Sequence, residues 1–448
     1  MRTLVFRFLG LLVAIGCSSD GDPSEPAPGG TGGATGGSNS ASGGMTAKGG
    51  TTGGTATAGG ATSQSGAPAT SGGVAANGGS TATGGVATVG GAASAGGASG
   101  GAGNGQAGSG GAVTPAGGNG SGGTPSATGG GGGGGASSCG ATGFHVKDGT
   151  LYDVNCAEFV MRGVNYPYAW YSTRNTQQDL QAIAATGANA VRLVLATGAR
   201  WTKTSESTLT SLIGWAKAAK LVSIVEVHDT TGYSEQAESV PLSNATSYWM
   251  GSDIVSALKG QEAFVILNVG NEPNGNNTST DWAPSHVTAV QALRGAAGLS
   301  HTLMVDAPNW GQDWENRMRD GGGSSIWDAD PQKNLMFSVH MYDVYGSSAT
   351  VTSYFNSFLM KYEAPLVVGE FAADHGSSGN VDEDTILSLA ESLSVGYLGW
   401  SWSGNGAGLE TLDITTNFDS GTLTTWGTRL IRGMNGIEAT SETCTCFD

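Results

Sequence analysis

From about residue 140 onward, apolar residues arrive in short, nearly uninterrupted runs. The runs are Phe159–Asn165, Ala190–Leu195, Val222–His228, Phe264–Asn271, Leu303–Asp306, Leu335–His340, Pro365–Phe371 and Tyr397–Trp402. Stretches with helical spacing lie between them, among them Gln177–Ala185, Ser207–Ala219, Pro284–Ala297 and Glu383–Leu393. Short runs without polar alternation predict strands buried on both faces, and strands alternating with helices predict a parallel sheet. Eight such strands predict closure into a (β/α)8 TIM barrel, an α/β fold. The competing open, doubly wound sheet shows a Gly-rich phosphate turn after its first strand, and Arg162-Gly-Val-Asn-Tyr-Pro is not one. A short hairpin, Phe144–Lys147 against Gly149–Tyr152, is expected before the first barrel strand.

A parallel barrel gathers the carboxyl ends of its strands on one face, where its chemistry sits. Residues at those ends are Asn165, Tyr166 and Trp170, then Arg192, His228-Asp229, Asn271-Glu272, Asn309-Trp310, His340 and Tyr342, Glu370, and Trp400 and Trp402. Glu272 and Glu370 each follow an apolar run, so two carboxylates remote in sequence are expected to converge. Such a pair breaks a glycosidic bond, one carboxyl giving a proton and the other attacking the sugar. Each assignment has a plainer competitor. The two glutamates read otherwise as solvated loop carboxylates, and Arg192 as a barrel-interior counter-ion to Glu226. His228 and His340 read otherwise as satisfied structural histidines, and Trp170, Trp310 and Trp314 as packing. Asp229, Asp306 and Asp343 are acids by type, without a second set of residues to support them.

Arg192, His228, Asn271-Glu272-Pro273, His340-Met-Tyr342, Gly369-Glu370-Phe371 and Trp400, in this order, resemble glycoside hydrolase family 5. The strings His228-Asp-Thr-Thr-Gly-Tyr233, Met304-Val-Asp-Ala-Pro-Asn-Trp-Gly-Gln-Asp-Trp314 and Gly399-Trp-Ser-Trp-Ser-Gly-Asn405 are similar to its bacterial endo-β-1,4-mannanase branch. The likeness runs from about Gly143 to Gly433. It implies retaining hydrolysis of β-mannan, with Glu370 as nucleophile and Glu272 as acid and base. It further implies that Arg192 and Tyr342 hold Glu370, and that Asn271, His228 and His340 bind hydroxyls or orient the pair. Trp400 is then expected to stack on a sugar ring, with Trp170 and Trp310 as further sugar contacts. Asn165-Tyr-Pro-Tyr168, where relatives often carry histidines, and the segment after Phe371 depart from the family pattern, which bears on sugar preference. A β-1,4-glucanase of the same family and a non-catalytic polysaccharide-binding lipoprotein are the rival readings.

The remainder of the 448-residue chain is of another kind. Residues 17–138 are dominated by Gly, Ala, Thr and Ser, with no aromatic residue between Phe8 and Phe144 and no strict every-third glycine. Such a segment buries too little apolar surface to order itself, so a disordered tether is expected, its ends about 60 Å apart. Residues 1–16 read as a signal peptide: Arg2 and Arg7 precede an apolar stretch too short to span a bilayer. It ends at Cys17-Ser18-Ser19-Asp20, which resembles a bacterial lipoprotein signal with Cys17 lipidated and outer-membrane or cell-surface display, the rival being plain secretion. The catalytic domain is placed at 139–448.

Cys139, Cys156, Cys444 and Cys446 flank that domain, and export favours disulfides over metal ligation. Cross-pairing of Cys444 and Cys446 to Cys139 and Cys156 is expected, since neighbours so close in sequence bond each other with difficulty. No HExxH or similar ligand spacing is present, so neither metal nor cofactor is expected. A net charge of −17 argues against nucleic acid. The expected partner is polysaccharide, the expected membrane link the Cys17 lipid, and the expected acting unit a monomer.

Overall fold

The computed structural model describes residues 140–448; the expected signal, Cys17, the tether and Cys139 lie outside the described residues. Eight parallel strands close into a barrel: β3 (Arg162–Tyr166), β4 (Ala190–Leu195), β5 (Val222–Val227), β6 (Val265–Asn268), β7 (Leu303–Asp306), β8 (Leu335–Met341), β9 (Leu366–Phe371) and β10 (Gly396–Gly399), with β10 pairing back to β3. An antiparallel hairpin, β1 (His145–Lys147) and β2 (Thr150–Tyr152), precedes them. Every residue of the eight barrel strands is buried. Helices cover the outside and side chains fill the inside, which is why these segments read as continuous apolar runs.

Several of the helices begin where side chains satisfy their free amides. The hydroxyls of Ser205, Ser347 and Thr424 and the carboxylate of Asp382 accept from Thr208, Thr350, Gly427 and Thr385 at the starts of Glu206–Ala218, Ser348–Leu359, Thr425–Arg432 and Glu383–Ser392. Their apolar faces pack on the barrel exterior in one continuous core.

Inside the barrel, period-two alternation separates two layers. Ala190, Val222, Ile224, Ile266, Met304, Met336, Val367 and Leu398 form the lower one with Phe144, Leu151, Phe159, Met161, Cys444 and Cys446. The hairpin and the C-terminal turn thus plug the amino-terminal mouth. Two residues further along the strands, Ile224 gives way to Glu226, Ile266 to Asn268 and Met304 to Asp306, so the upper layer turns polar.

The expected cross-pairing of cysteines is corrected here: Cys444 bonds Cys446. The 3-10 turn Thr445–Phe447 folds their Cα atoms to 5.2 Å, within disulfide range despite the two-residue separation. Cys156 is also disulfide-bonded.

Between Val339 and His340 the β8–β9 register shifts, which sets His340 opposite Glu370. A Cβ on Gly369 would lie 2.2 Å from Ser338 Oγ and 3.2 Å from His340 Nε2. Gly369→Ala is therefore expected to destabilise the fold by about 1–3 kcal/mol through overpacking. Urea unfolding measures this, and an unchanged midpoint would refute the packing argument.

Candidate active site

Arg192, on β4, organises the upper layer. It is fully buried, and its five N–H donors meet five acceptors. Nε donates to Asn268 Oδ1 (2.9 Å), Nη1 to Asn165 Oδ1 (3.0 Å) and Glu370 Oε1 (2.8 Å), and Nη2 to Asn271 Oδ1 (2.6 Å) and Asp306 Oδ2 (3.3 Å). Burial works against the guanidinium charge, but Glu226, Asp306 and Glu370 outweigh it and keep the group charged. Glu226 is the more distant partner, at 3.8 Å, so Arg192 serves Glu370 first and the counter-ion role second. Removing it leaves these buried carboxylates without their shared cation. Arg192→Leu is expected to cost about 3–5 kcal/mol in urea unfolding, the usual consequence of orphaning buried charge. A loss below about 1 kcal/mol would show that the network does not depend on the guanidinium.

Glu370 is clamped from both sides: Arg192 holds Oε1, and the Tyr342 hydroxyl donates to Oε2 at 2.9 Å. Burial, with Glu370 and Glu272 beside it, pushes the Tyr342 phenol well above its ordinary value, so it remains a donor. Its ring stacks on the His375 imidazole at 4.5 Å, and His375 Nδ1 lies 3.1 Å from Asp343 Oδ1.

Glu272 leaves the end of β6 in a left-handed conformation, φ 40°. Two bonds hold that unusual backbone: its N–H donates to Asp306 Oδ2 (3.1 Å) and its carbonyl accepts from Gly232 (2.9 Å). Burial raises the Glu272 carboxyl above its ordinary value, against the lowering contribution of His340. His340 Nδ1 lies 2.6 Å from Glu272 Oε1 and 3.5 Å from Glu370 Oε2, and Nε2 lies 3.4 Å from Asp306 Oδ2. Burial disfavours charge on the imidazole, but Glu370 and Asp306 prevail and raise its pKa to about 10.

An oxygen of Glu272, an oxygen of Glu370 and a ring nitrogen of His340 all lie within 4.8 Å of one another. Three such donors have the spacing of a cation site. However, a metal needs a neutral imidazole, whereas Glu370 and Asp306 raise the His340 pKa and favour its charged form. Arg192 already supplies positive charge to Glu370. The group fits proton transfer and nucleophilic attack better than metal ligation.

His228 completes one wall. Its Nδ1 lies 3.0 Å from Glu226 Oε1, and its Nε2 lies 3.3 Å from Asn271 Nδ2. Because Asn271 Oδ1 accepts from Arg192, its amide nitrogen must face His228, so Nε2 accepts and Nδ1 carries the proton. Burial lowers the His228 pKa to about 4, which keeps this ring neutral. Trp400 stacks on the ring at 5.6 Å, and Trp170 meets both edge-on at 5.0 and 6.2 Å. Trp400 is almost wholly covered, its N–H donating to Asn405 Oδ1. Trp310 lines a small cavity with Arg200, Trp201, His228, Thr231 and Gln236.

The glycosyl hydrolase family 5 model, described as a cellulase, matches residues 152–406. The chain belongs to glycosyl hydrolase family 5. A mannan endo-1,4-beta-mannosidase of Streptomyces lividans is 49% identical over 311 residues, covering 69% of this chain and 79% of that protein. One of the same name from Cellvibrio japonicus is 51% identical over 308 residues, covering 68% and 70%. The solved beta-mannanase from Thermomonospora fusca superposes with a TM-score of 0.66 at 47% identity, covering 69% of this chain and all of that one. A mannohexaose complex of the T. fusca enzyme is also known, with a TM-score of 0.65 at 46% identity over 69% of this chain and all of that one.

Sequence reasoning passed over several members of this family 5 site. Asp306, considered only as a stand-in acid, is instead an acceptor for Arg192, Asn268 and the Glu272 amide. His340 and Arg192 hold its carboxyl well below the usual range despite burial. Asp229 accepts the backbone N–H groups of Thr197, Ala199 and Arg200 at 2.8, 3.0 and 2.8 Å, fixing the loop that carries Trp201 to within 6.0 Å of His228. The available signal for Asp306 and Asn268 was alternation, each lying two residues after a core methionine or isoleucine.

Proposed function

We propose that this family 5 hydrolase cuts internal β-1,4-mannosidic bonds of mannan, glucomannan or galactomannan with retention of anomeric configuration. The observation that carries this reading is the approach of Glu272 and Glu370 oxygens to within 4.8 Å. Retention needs carboxyl groups about 5–5.5 Å apart, too close to admit water between sugar and nucleophile. Glu370 attacks the anomeric carbon, its carboxylate oriented by Arg192 and Tyr342. His340, cationic, donates to Glu272 Oε1 and leaves Oε2 to carry the proton for the departing oxygen. Glu272 then takes a proton from the water that resolves the covalent intermediate. A sugar 2-hydroxyl would displace the long 3.3 Å contact between Asn271 and His228.

Support for mannan comes from the names of the two relatives that are about half identical to this chain over most of their lengths. Reducing-end release from mannan, glucomannan and carboxymethylcellulose side by side tests it. Turnover of carboxymethylcellulose above mannan would replace the mannan reading with the glucan one. The signal-like start and Cys17 support display on a lipid anchor. Cys17→Ala should abolish incorporation of labelled palmitate, and undiminished labelling would disprove the anchor.

A further inference from the structure

Glu235, on the loop after β5, has no part in the chemistry above, yet it ties three loops together at one carboxylate. Its Oε2 accepts the indole N–H of Trp310 at 2.8 Å and the Asn276 amide at 3.2 Å, while Oε1 accepts the backbone N–H of Asn277. Asn276 in turn uses Oδ1 to accept the indole N–H of Trp314 at 2.7 Å and the Asn309 amide at 3.3 Å. Two tryptophans four residues apart are thus fixed through one Glu–Asn pair.

Neighbouring glycines make room for this arrangement. A Cβ on Gly275 would lie 2.9 Å from the Glu235 carboxyl, and one on Gly232 (φ +62°) would lie 2.2 Å from the Trp310 ring. Trp310 borders the cavity shared with His228, and its backbone N–H donates to the Asn274 carbonyl at 3.1 Å, on the loop that carries Glu272. Trp314 is 50% exposed, one of few large apolar side chains left open to solvent among the described residues. An indole bonded through its in-plane N–H keeps its faces available, and a rigid aromatic face costs little entropy when an apolar sugar face settles on it.

We propose that Glu235 and Asn276 are positioning residues that hold Trp310 and Trp314 as fixed plates for sugar units lying beyond the cleavage point, giving the enzyme a preference for longer chains. The proposal rests on the mannan reading above. It is tested by comparing mannohexaose with mannotriose for the wild type, Glu235→Ala, Glu235→Gln and Trp314→Ala. Glu235→Ala and Trp314→Ala should each lower the hexaose-to-triose ratio of kcat/KM about tenfold, the order of one lost aromatic contact. The loss should fall on KM for the hexaose rather than on kcat, which general loosening of the fold would not produce. Glu235→Gln, which keeps an oxygen for Trp310, should recover part of the ratio. Trp314→Ala, at an exposed position, guards against a folding defect in the Glu235 variants. An unchanged ratio in both alanine variants, or an equal loss in kcat on both oligomers, overturns the proposal while leaving the mannanase function intact. A wild type inactive on both oligomers overturns that function and the plates with it.

Discussion

Glu370→Ala is expected to lower kcat on β-mannan by about 10⁴-fold or more, since no other group stands ready to form the glycosyl bond. The size follows from how completely the site is built around this carboxylate. Arg192 at 2.8 Å and Tyr342 at 2.9 Å fix both oxygens, and His340 lies 3.5 Å from one of them. Those groups remain in the alanine variant and leave a small positively lined space where the carboxylate was. Azide should therefore enter from the vacated side and restore turnover of an activated aryl mannoside, giving the α-mannosyl azide. Activity within about tenfold of wild type, or a β-azide product, would remove Glu370 from the nucleophile's role.

The barrel was legible because burial on both faces writes itself as an unbroken apolar run. Ala190–Leu195 and Leu303–Asp306 carry the bounds expected of them. The run Phe264–Asn271 is shorter as a strand, Val265–Asn268, because the chain must turn there to set Glu272 at positive φ. The last strand is likewise Gly396–Gly399, ending before Trp400. Cys444 and Cys446 were misjudged on spacing alone, since a tight 3-10 turn supplies the closeness that an extended chain denies.

The carboxylate pair and its Arg, His and Tyr partners were legible as residue types at strand ends. What alternation could not supply was pairing. Arg192 draws acceptors from β3, β6, β7, β9 and the loop after β6, and only closure of the ring makes them neighbours. The same holds for Asp306, whose value lies in the amide of Glu272 it accepts, and for Glu235, whose partners sit on two other loops. Trp400 was expected at the sugar; what the structure shows is that it backs His228, a contact between residues far apart in sequence.

Glu272→Ala should separate the two halves of the reaction. On mannan, whose leaving alcohol needs a proton, a loss of about 10²–10⁴-fold is expected, the usual worth of a positioned general acid. On an aryl mannoside with a good leaving group the first step should stay fast, and the slow step should become hydrolysis of the intermediate, which has lost its base. Azide needs no base, so it should accelerate that variant and give the β-mannosyl azide, opposite to the product from Glu370→Ala. The pH profile adds a second sign. Wild-type kcat/KM falls on the alkaline side as Glu272 gives up its proton, and burial moves that fall to higher pH than an ordinary glutamate would set. In Glu272→Ala, assayed on the activated substrate, the alkaline fall should vanish, because no acid remains to be lost. Equal slowing on mannan and aryl mannoside, with the alkaline limb intact, would mean that the proton comes from elsewhere, and His340, cationic and 2.6 Å away, would be the group to examine.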